Sequence, residues 1–174
     1  MKNKIALLAL CMFISAAGIE AQSLPNGCGN DKAKFEVNTT DAAPPALTPE
    51  NGKALVVFIE TPLSGGHLTW PTVSTRFAID NIWVGANMNN SYFTVSVTPG
   101  DHLVCSGRQG YHAEDWADSS PLFAEAGKVY FFESKVDYYR NESDKDRAFH
   151  FKQITADQGR ACLKASKLSS WTQK

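Results

Sequence analysis

The sequence lacks concentrated positive charge and lacks an apolar run long enough to cross a membrane. Its 17 Lys and Arg side chains stand against 18 Asp and Glu, for a formal net charge of -1, and no long basic run occurs. Binding to phosphates needs clustered positive charge, so the sequence argues against nucleic acid as the main partner and against a basic patch that binds membrane surfaces. The apolar segment at residues 5–14 is half the roughly 20 residues that a membrane-spanning helix needs. We therefore predict no transmembrane anchor.

Motifs for metal binding and covalent catalysis are also missing. The chain has no CxxC pair, and its four histidines, at positions 67, 102, 112 and 150, match no compact ligand spacing. The G-x-S-x-G sequence of many hydrolases is absent too. The sequence therefore predicts no metal, no cofactor and no catalytic residue. His102, which follows a Pro-Gly turn, is instead expected to hydrogen-bond a loop backbone.

The N-terminus has the pattern of a secretory signal peptide. Lys2 and Lys4 precede the apolar segment, and the small residues at 15–18 follow it. We predict a signal peptide at residues 1–21, cleaved after Ala17 or Ala21, and an exported protein that is periplasmic or secreted. Lipid anchoring through the cysteine at position 11 is not expected, because a leucine precedes it where a lipobox has a small residue.

Export determines what the cysteines can do. Removal of the signal peptide leaves Cys28, Cys105 and Cys162 in an oxidising compartment. Three thiols allow one disulfide and leave one odd cysteine, and the residues themselves do not choose the pair. The alternative is three buried, unpaired cysteines.

The rest of the chain reads as a β domain with one late helix. Residues 22–51 predict an irregular, Pro-rich leader with one short strand at 34–38. The continuous apolar run at 53–60 predicts a central strand covered on both faces. Further strands are predicted at 75–79, 82–84, 92–97, 102–107, 128–139 and 148–154, with loops at 61–72, 85–90, 108–120 and 140–147.

Turn residues predict how these strands connect. Asp80 and Asn81 form the expected turn between strands 75–79 and 82–84. Pro99 and Gly100 are expected to join strands 92–97 and 102–107 as an antiparallel pair.

Near the C-terminus, a capping-box pattern begins at Thr155 and predicts a short amphipathic helix. The apolar face of this helix is expected to include Leu163 and Leu168. Gly159 weakens the prediction by about 1 kcal/mol relative to alanine. The predicted fold class is thus all-β, an antiparallel β-sandwich of the Ig/prealbumin-like kind with one short C-terminal helix. The sandwich domain is placed at residues 52–168, with a tail at 169–174.

Five blocks of this chain resemble the DUF2846 family of exported bacterial proteins. They are Gly52-Lys53-Ala-Leu-Val, Ile79-Asp80-Asn81-Ile-Trp-Val84-Gly85, Asn89-Asn90-Ser91-Tyr92-Phe93, Val97-Thr98-Pro99-Gly100-Asp101-His102 followed by Cys105, and Ala126-Gly127-Lys128-Val-Tyr130-Phe-Phe132. The resemblance as a whole covers about residues 52–165. Asn81 stands where the family more usually has glycine, and asparagine tolerates the left-handed conformation of such a turn.

The resemblance implies an envelope or secreted β-sandwich, and the family has no established biochemical function. It also implies a disulfide, because relatives carry a cysteine before the first strands and another after the Pro-Gly-x-His motif. The implied pair is Cys28–Cys105, which leaves Cys162 as the odd thiol.

Aromatic side chains on predicted loops are the candidate ligand contacts. Trp116 lies beside Glu114 and Asp115, an arrangement that glycan sites use for ring stacking and hydrogen bonding. Because loops of a sandwich carry its contacts, the predicted contact residues are Trp70, Tyr111, His112 and Trp116. The simpler interpretation of these segments is a set of solvated loops.

Two functional hypotheses follow. The first is a non-enzymatic binding or accessory module whose partner is an envelope protein or a glycan. The second is a small glycan or ester hydrolase that uses a His-carboxylate pair, such as His112 with Asp115 or Glu114. The sequence favours the module, because it contains no recognisable nucleophile or metal site.

Overall fold

The part of the chain that is described comprises residues 28–30, 32–61, 74–109, 117–138 and 147–174 of a computed structural model, without the side chains of 136–138, 147 and 148. The predicted signal peptide lies outside these residues, and so do residues 62–72 of the predicted loop at 61–72 and residues 140–146 of the predicted loop at 140–147. Within them, no helix has the length and apolarity needed to cross a membrane.

The described residues form ten strands and one helix. In chain order these are β1 (Phe35–Thr40), β2 (Ala54–Glu60), β3 (Ser74–Ile79), β4 (Ile82–Met88), β5 (Ser91–Val97), β6 (Gly100–Gln109), β7 (Ala117–Ala124), β8 (Val129–Tyr138), β9 (Arg147–Ile154), α1 (Ala156–Leu163) and β10 (Lys167–Gln173). The six-stranded sheet has the order β1-β10-β5-β2-β8-β9 and the four-stranded sheet the order β4-β3-β6-β7. The predicted all-β sandwich with one short helix is confirmed. Most neighbours are antiparallel, and the pairs β2–β8 and β5–β10 are parallel.

β2 is one of the two central strands of the six-stranded sheet, and all of its residues are buried, as its apolar run predicts. Alternate side chains point to opposite faces of the sheet. Phe58 faces the other sheet, where its ring centroid lies 4.8 Å from that of Phe77. Val57 and Ile59 face the other way, into a second apolar cluster completed by Leu163 of α1. The molecule therefore has a core between its sheets and a smaller one beneath its helix.

The helix α1 begins with the predicted capping box. The Thr155 Oγ1 atom accepts a hydrogen bond from the Gln158 amide at 3.3 Å, and Gln158 Oε1 accepts one from the Thr155 amide at 3.0 Å. Gly159 is buried against Phe131, and a Cβ atom at this position would overlap the Phe131 ring. The glycine that weakens the helix in isolation is therefore what lets the helix lie against the sheet.

The N-terminal segment is fastened to the outer face of the four-stranded sheet. The disulfide implied by the family resemblance is present, between Cys28 and Cys105, with a Cα–Cα separation of 5.6 Å. Next to it, the Gly29 amide donates to Asn81 Oδ1 at 2.6 Å. Asp80 and Asn81 have φ values of 50° and 69°, which confirms the predicted left-handed turn.

The predicted hairpin across Pro99 is wrong. β5 pairs with β2 in the six-stranded sheet, whereas β6 pairs with β3 and β7 in the four-stranded sheet. The chain thus crosses between sheets at residues 98–99. Alternation places Phe93 and Val104 in the same core from opposite sides, and that pattern is equally compatible with a hairpin. The pairing partner depends on distant strands, which the local pattern does not contain.

Three predicted boundaries also need correction. The predicted turn at 85–90 is mostly strand, because β4 continues to Met88. Gly85 makes room for Trp171, since a Cβ atom at position 85 would lie 2.5 Å from the Trp171 Nε1 atom. The predicted loop at 108–120 contains the end of β6 and the start of β7. The predicted tail at 169–174 belongs to β10, which pairs with β1. Leu168, assigned by sequence to the helix, lies in this strand, so the helix is followed by a final strand.

Candidate functional site

Three connections begin and end at the same end of the sandwich, as the described strand ends show. Residues 62–73 join β2 to β3, residues 110–116 join β6 to β7, and residues 139–146 join β8 to β9. The register places the strand ends side by side: Glu60 pairs with Ser91 and Ser134, and Ser74 pairs with Met88 and Gln109. We call this end of the sandwich the loop end.

The predicted ligand contacts belong to these connections in sequence. Trp70, Tyr111, His112 and Trp116 lie outside the described residues, and so do His67, Glu114 and Asp115. The placement of their side chains, and any pairing of His112 with a carboxylate, therefore stay predictions. The strands on either side of these segments are described, and their ends define where each segment begins and ends.

A layer of polar side chains closes the core at the loop end. Moving two residues along each strand keeps a side chain on the same face, so the residue after Phe58 on this face is Glu60, and the residue before Phe77 is Thr75. The strand register places Ser91 and Ser134 on either side of Glu60, and Asn87 and Arg108 on either side of Thr75. The resulting polar layer consists of Ser91, Glu60 and Ser134 in one sheet and Asn87, Thr75 and Arg108 in the other.

Glu60 is the chemically unusual member of the polar layer. Burial raises the pKa of its carboxyl to about 8, although a hydrogen bond with the Thr75 side chain, the charge of Arg108 and the amides of Asn89 and Thr75 all favour the ionised form. The residue is only 9% exposed. At pH 7 the carboxyl is therefore mostly protonated, which makes it a hydrogen-bond donor as well as an acceptor.

Several oxygens of the polar layer have spare hydrogen-bonding capacity. Asn87 Nδ2 donates to the Phe58 carbonyl at 3.1 Å and so links the two sheets. Within the described part of the chain, no partner is present for Asn87 Oδ1, Glu60 Oε2 or the Ser134 hydroxyl. Buried polar atoms are nearly always satisfied in folded proteins. This set of acceptors, with a protonated carboxyl among them, is suited to ordered water or a neutral polar ligand.

The polar layer does not have the chemistry of a metal site. It combines a single carboxyl with a guanidinium, whereas metal ions are held by several anionic or imidazole ligands. No group of three or more His, Cys, Asp or Glu side chains arranged to hold a metal occurs anywhere in the described ranges.

His102 lies at the opposite end of the sandwich and has a structural role. Its Nδ1 atom donates to Asp80 Oδ2 at 2.5 Å. Its Nε2 atom donates to the Thr98 carbonyl at 2.8 Å, which confirms the predicted hydrogen bond from His102 to a loop backbone. Asp80 also accepts from the Leu103 amide. These bonds fasten the β3–β4 turn to the segment that crosses between the sheets.

Of the cysteines, Cys28 and Cys105 form a disulfide and Cys162 is a free, half-buried thiol. Burial raises the pKa of the Cys162 thiol, and the nearby negative charge of Glu133 raises it further. A raised pKa leaves little thiolate at neutral pH, so Cys162 has none of the activation of a nucleophilic cysteine.

Sequence reasoning did not single out the residues of the polar layer. In the sequence, Glu60 is the last residue of the predicted strand at 53–60, and Arg108 is the first residue of the predicted loop at 108–120. The signal was present in part, since a glutamate two residues after Phe58 must share its buried face if the strand continues. The opposing row, Asn87 and Thr75, could be found only from the pairing of β3 with β4.

Comparisons of the chain with models of known protein families, with curated proteins and with solved structures found no match.

Proposed function

We propose that this chain is an exported, non-enzymatic β-sandwich module that binds an envelope protein or a glycan at its loop end. The observation that supports the proposal best is that the strands flanking three connections all end at one end of a two-sheet scaffold. Loops held by a rigid scaffold are the usual place for binding residues. At the opposite end of the sandwich, the connections at 80–81, 98–99 and 125–128 are short.

The composition of the three connections supports a binding role. They contain Trp70, Tyr111 and Trp116, together with carboxylates at 114 and 115. Aromatic rings and carboxylates together suit stacking and hydrogen bonding to a sugar, or anchoring of a protein partner. At the same end of the sandwich, the polar layer offers a protonated carboxyl, hydroxyls, an amide and one guanidinium for hydrogen bonding.

Export is the second element of the proposal. The signal-peptide pattern and the resemblance to the DUF2846 family both favour it, and the Cys28–Cys105 disulfide is of the kind that persists in oxidising compartments.

The binding proposal is tested by retention of partners on the immobilised, disulfide-bonded protein. A loop variant with Trp70, Tyr111 and Trp116 replaced by alanine is compared with the wild type in envelope extracts and on a glycan array. The matched control replaces two apolar side chains on strands, Ile82 and Phe123, which are 68% and 65% exposed, by serine. We expect the wild type and the control to retain the same partner and the loop variant to lose about 90% of the signal, a loss typical of hot-spot aromatics. Equal loss in both variants, or no retention by the wild type, would contradict the proposal.

The non-enzymatic part of the proposal needs its own test. Wild type and a His112→Ala variant are screened with chromogenic esters and glycosides. We expect no turnover above buffer for either protein. Turnover by the wild type that His112→Ala abolishes would support the hydrolase hypothesis instead.

A further inference from the structure

Among the described residues, β5 is paired along its full length on only one of its two edges. On one side every residue from Ser91 to Val97 is in register with β2. On the other side β10 runs parallel to β5 for two residue pairs, Lys167 with Ser91 and Leu168 with Tyr92. Beyond Leu168, β10 continues only as the partner of β1. In the described part of the chain, no strand pairs with the rest of this edge of β5.

The hydrogen-bonding groups on this edge can be identified from the ladder. Leu55 and Thr61 of the β2 region donate to β8, so the odd-numbered residues of β2 point away from β5 and the even-numbered ones point towards it. The partners of the even-numbered residues are 91, 93, 95 and 97. The backbone N–H and C=O groups of Thr94 and Ser96 therefore point away from β2. The Asn90 carbonyl points the same way, where it accepts a hydrogen bond from the Lys167 amide. We call this stretch, Thr94–Ser96, the open β5 edge.

The open β5 edge lacks the features that normally protect an exposed strand edge. Such edges are usually blocked by proline, by charged side chains or by a bulge. The outer strand β7 illustrates this protection, because it contains Pro121. β5 has the sequence SYFTVSV, with no proline and no charge, and its register with β2 is uninterrupted.

The two faces beside the open β5 edge differ in polarity. On the core side Val95 is partly buried and packs, like Val84, against the apolar core. On the other face the Ser96 hydroxyl donates to Glu50 at 2.8 Å. The segment containing Glu50 forms no backbone hydrogen bond to β5 among the described residues. An added strand would therefore meet an apolar row on one face and a polar row on the other.

We propose that the open β5 edge binds an extended polypeptide segment of alternating apolar and polar residues, by strand addition in line with β10. β10 already shows that this edge accepts a strand, and an incoming segment would continue the same ladder towards Val97. Backbone hydrogen bonds would supply the affinity, and the alternation of side chains would supply the selectivity. This surface is separate from the loop end, since Val97 pairs with Ala54 at the far end of β2.

Amide hydrogen exchange on the wild-type protein tests whether the edge is open. The amides of Thr94 and Ser96 should exchange at least about 100-fold faster than those of Phe93 and Val95, which face β2. Protection of all four amides to the same degree would overturn the proposal, because it would mean that the edge is already covered.

Peptide binding tests whether the edge is used. The probe is a short peptide of alternating valine and threonine capped by lysines, titrated into isotope-labelled protein and followed by NMR. Binding should slow exchange at Thr94 and Ser96. Ser96→Pro removes an outward amide without touching the β2 ladder and should weaken binding at least about tenfold. Ser96→Ala is the matched control, since it keeps the amide and loses only the bond to Glu50, and it should bind like the wild type.

A second variant guards against misfolding of Ser96→Pro. Thr94→Pro removes the other outward amide, and near-UV circular dichroism checks the fold of both. Absence of peptide binding to the wild type, or unchanged binding by a folded proline variant, would overturn the proposal.

Discussion

Replacing Glu60 by glutamine tests the protonation state of the polar layer directly. The folded-state pKa of Glu60 is raised from 4.5 to about 8 by burial. A raised folded-state pKa means that the native protein holds a proton that the unfolded chain releases. The stabilisation is fully present below pH 4.5 and is lost as the pH rises towards 8. Over that interval, release of this one proton on unfolding lowers the free energy of unfolding by about 1.4 kcal/mol per pH unit. Glutamine has no such proton, so the slope should be absent from the variant.

The measurement is the free energy of unfolding by urea at pH 5, 6, 7 and 8, for the wild type and Glu60→Gln. The difference between the two curves isolates Glu60 from other groups that titrate in this range. We expect the variant to gain stability relative to the wild type by about 3 kcal/mol between pH 5 and pH 7. Glu50→Gln is the control: hydrogen bonds from Lys53 and Ser96 lower the pKa of Glu50, so its difference curve should be flat from pH 6 to 8. A flat curve for Glu60→Gln would refute our account of the polar layer.

Three further predictions concern the scaffold. Gly159→Ala should lower the free energy of unfolding by about 1–3 kcal/mol, because the added Cβ overlaps the Phe131 ring. Helix propensity alone predicts a gain of about 1 kcal/mol, so an increase in the free energy of unfolding by urea would contradict this account. Cys28→Ser should cost up to about 4 kcal/mol, because the disulfide spans a sequence separation of 77 residues; an unchanged urea midpoint would show that the N-terminal segment adds no stability. Burial lowers the pKa of His102, but hydrogen bonds to Asp80 and Thr98 raise it above 6.5 overall. The stability it contributes is thus complete below pH 6.5 and lost as the pH rises through the raised pKa, and an NMR titration midpoint at or below 6.5 would contradict this.

Part of the candidate site was predictable and part was not. The aromatic residues of the three connections can be named from the sequence, because a tryptophan or tyrosine on a predicted loop combines a large apolar ring with a polar group, and their role as ligand contacts stays a prediction. The polar layer gave no such signal, because a glutamate at the end of a strand is ordinary in sequence. Its significance arises from Asn87 and Thr75, which reach it only when β3 and β4 fold over β2.

The fold shows the same division. β2, the Asp80-Asn81 turn and the Thr155 capping box follow from local chemistry: continuous apolar character, tolerance of positive φ, and side chains that satisfy a helix start. The family resemblance implied the Cys28–Cys105 pair, which the spacing of the cysteines did not.

The sequence by itself determined the fold class, the faces of the strands and the start of the helix, because these depend on residues within a few positions of each other. The tertiary structure alone decided that β5 and β6 lie in different sheets, that the C-terminal residues form β10, and that Gly159 is required by Phe131. Alternation specifies which face a side chain occupies, but not which strand lies beside it. That choice depends on contacts between residues far apart in the chain, and those contacts also create the polar layer around Glu60 and the open β5 edge.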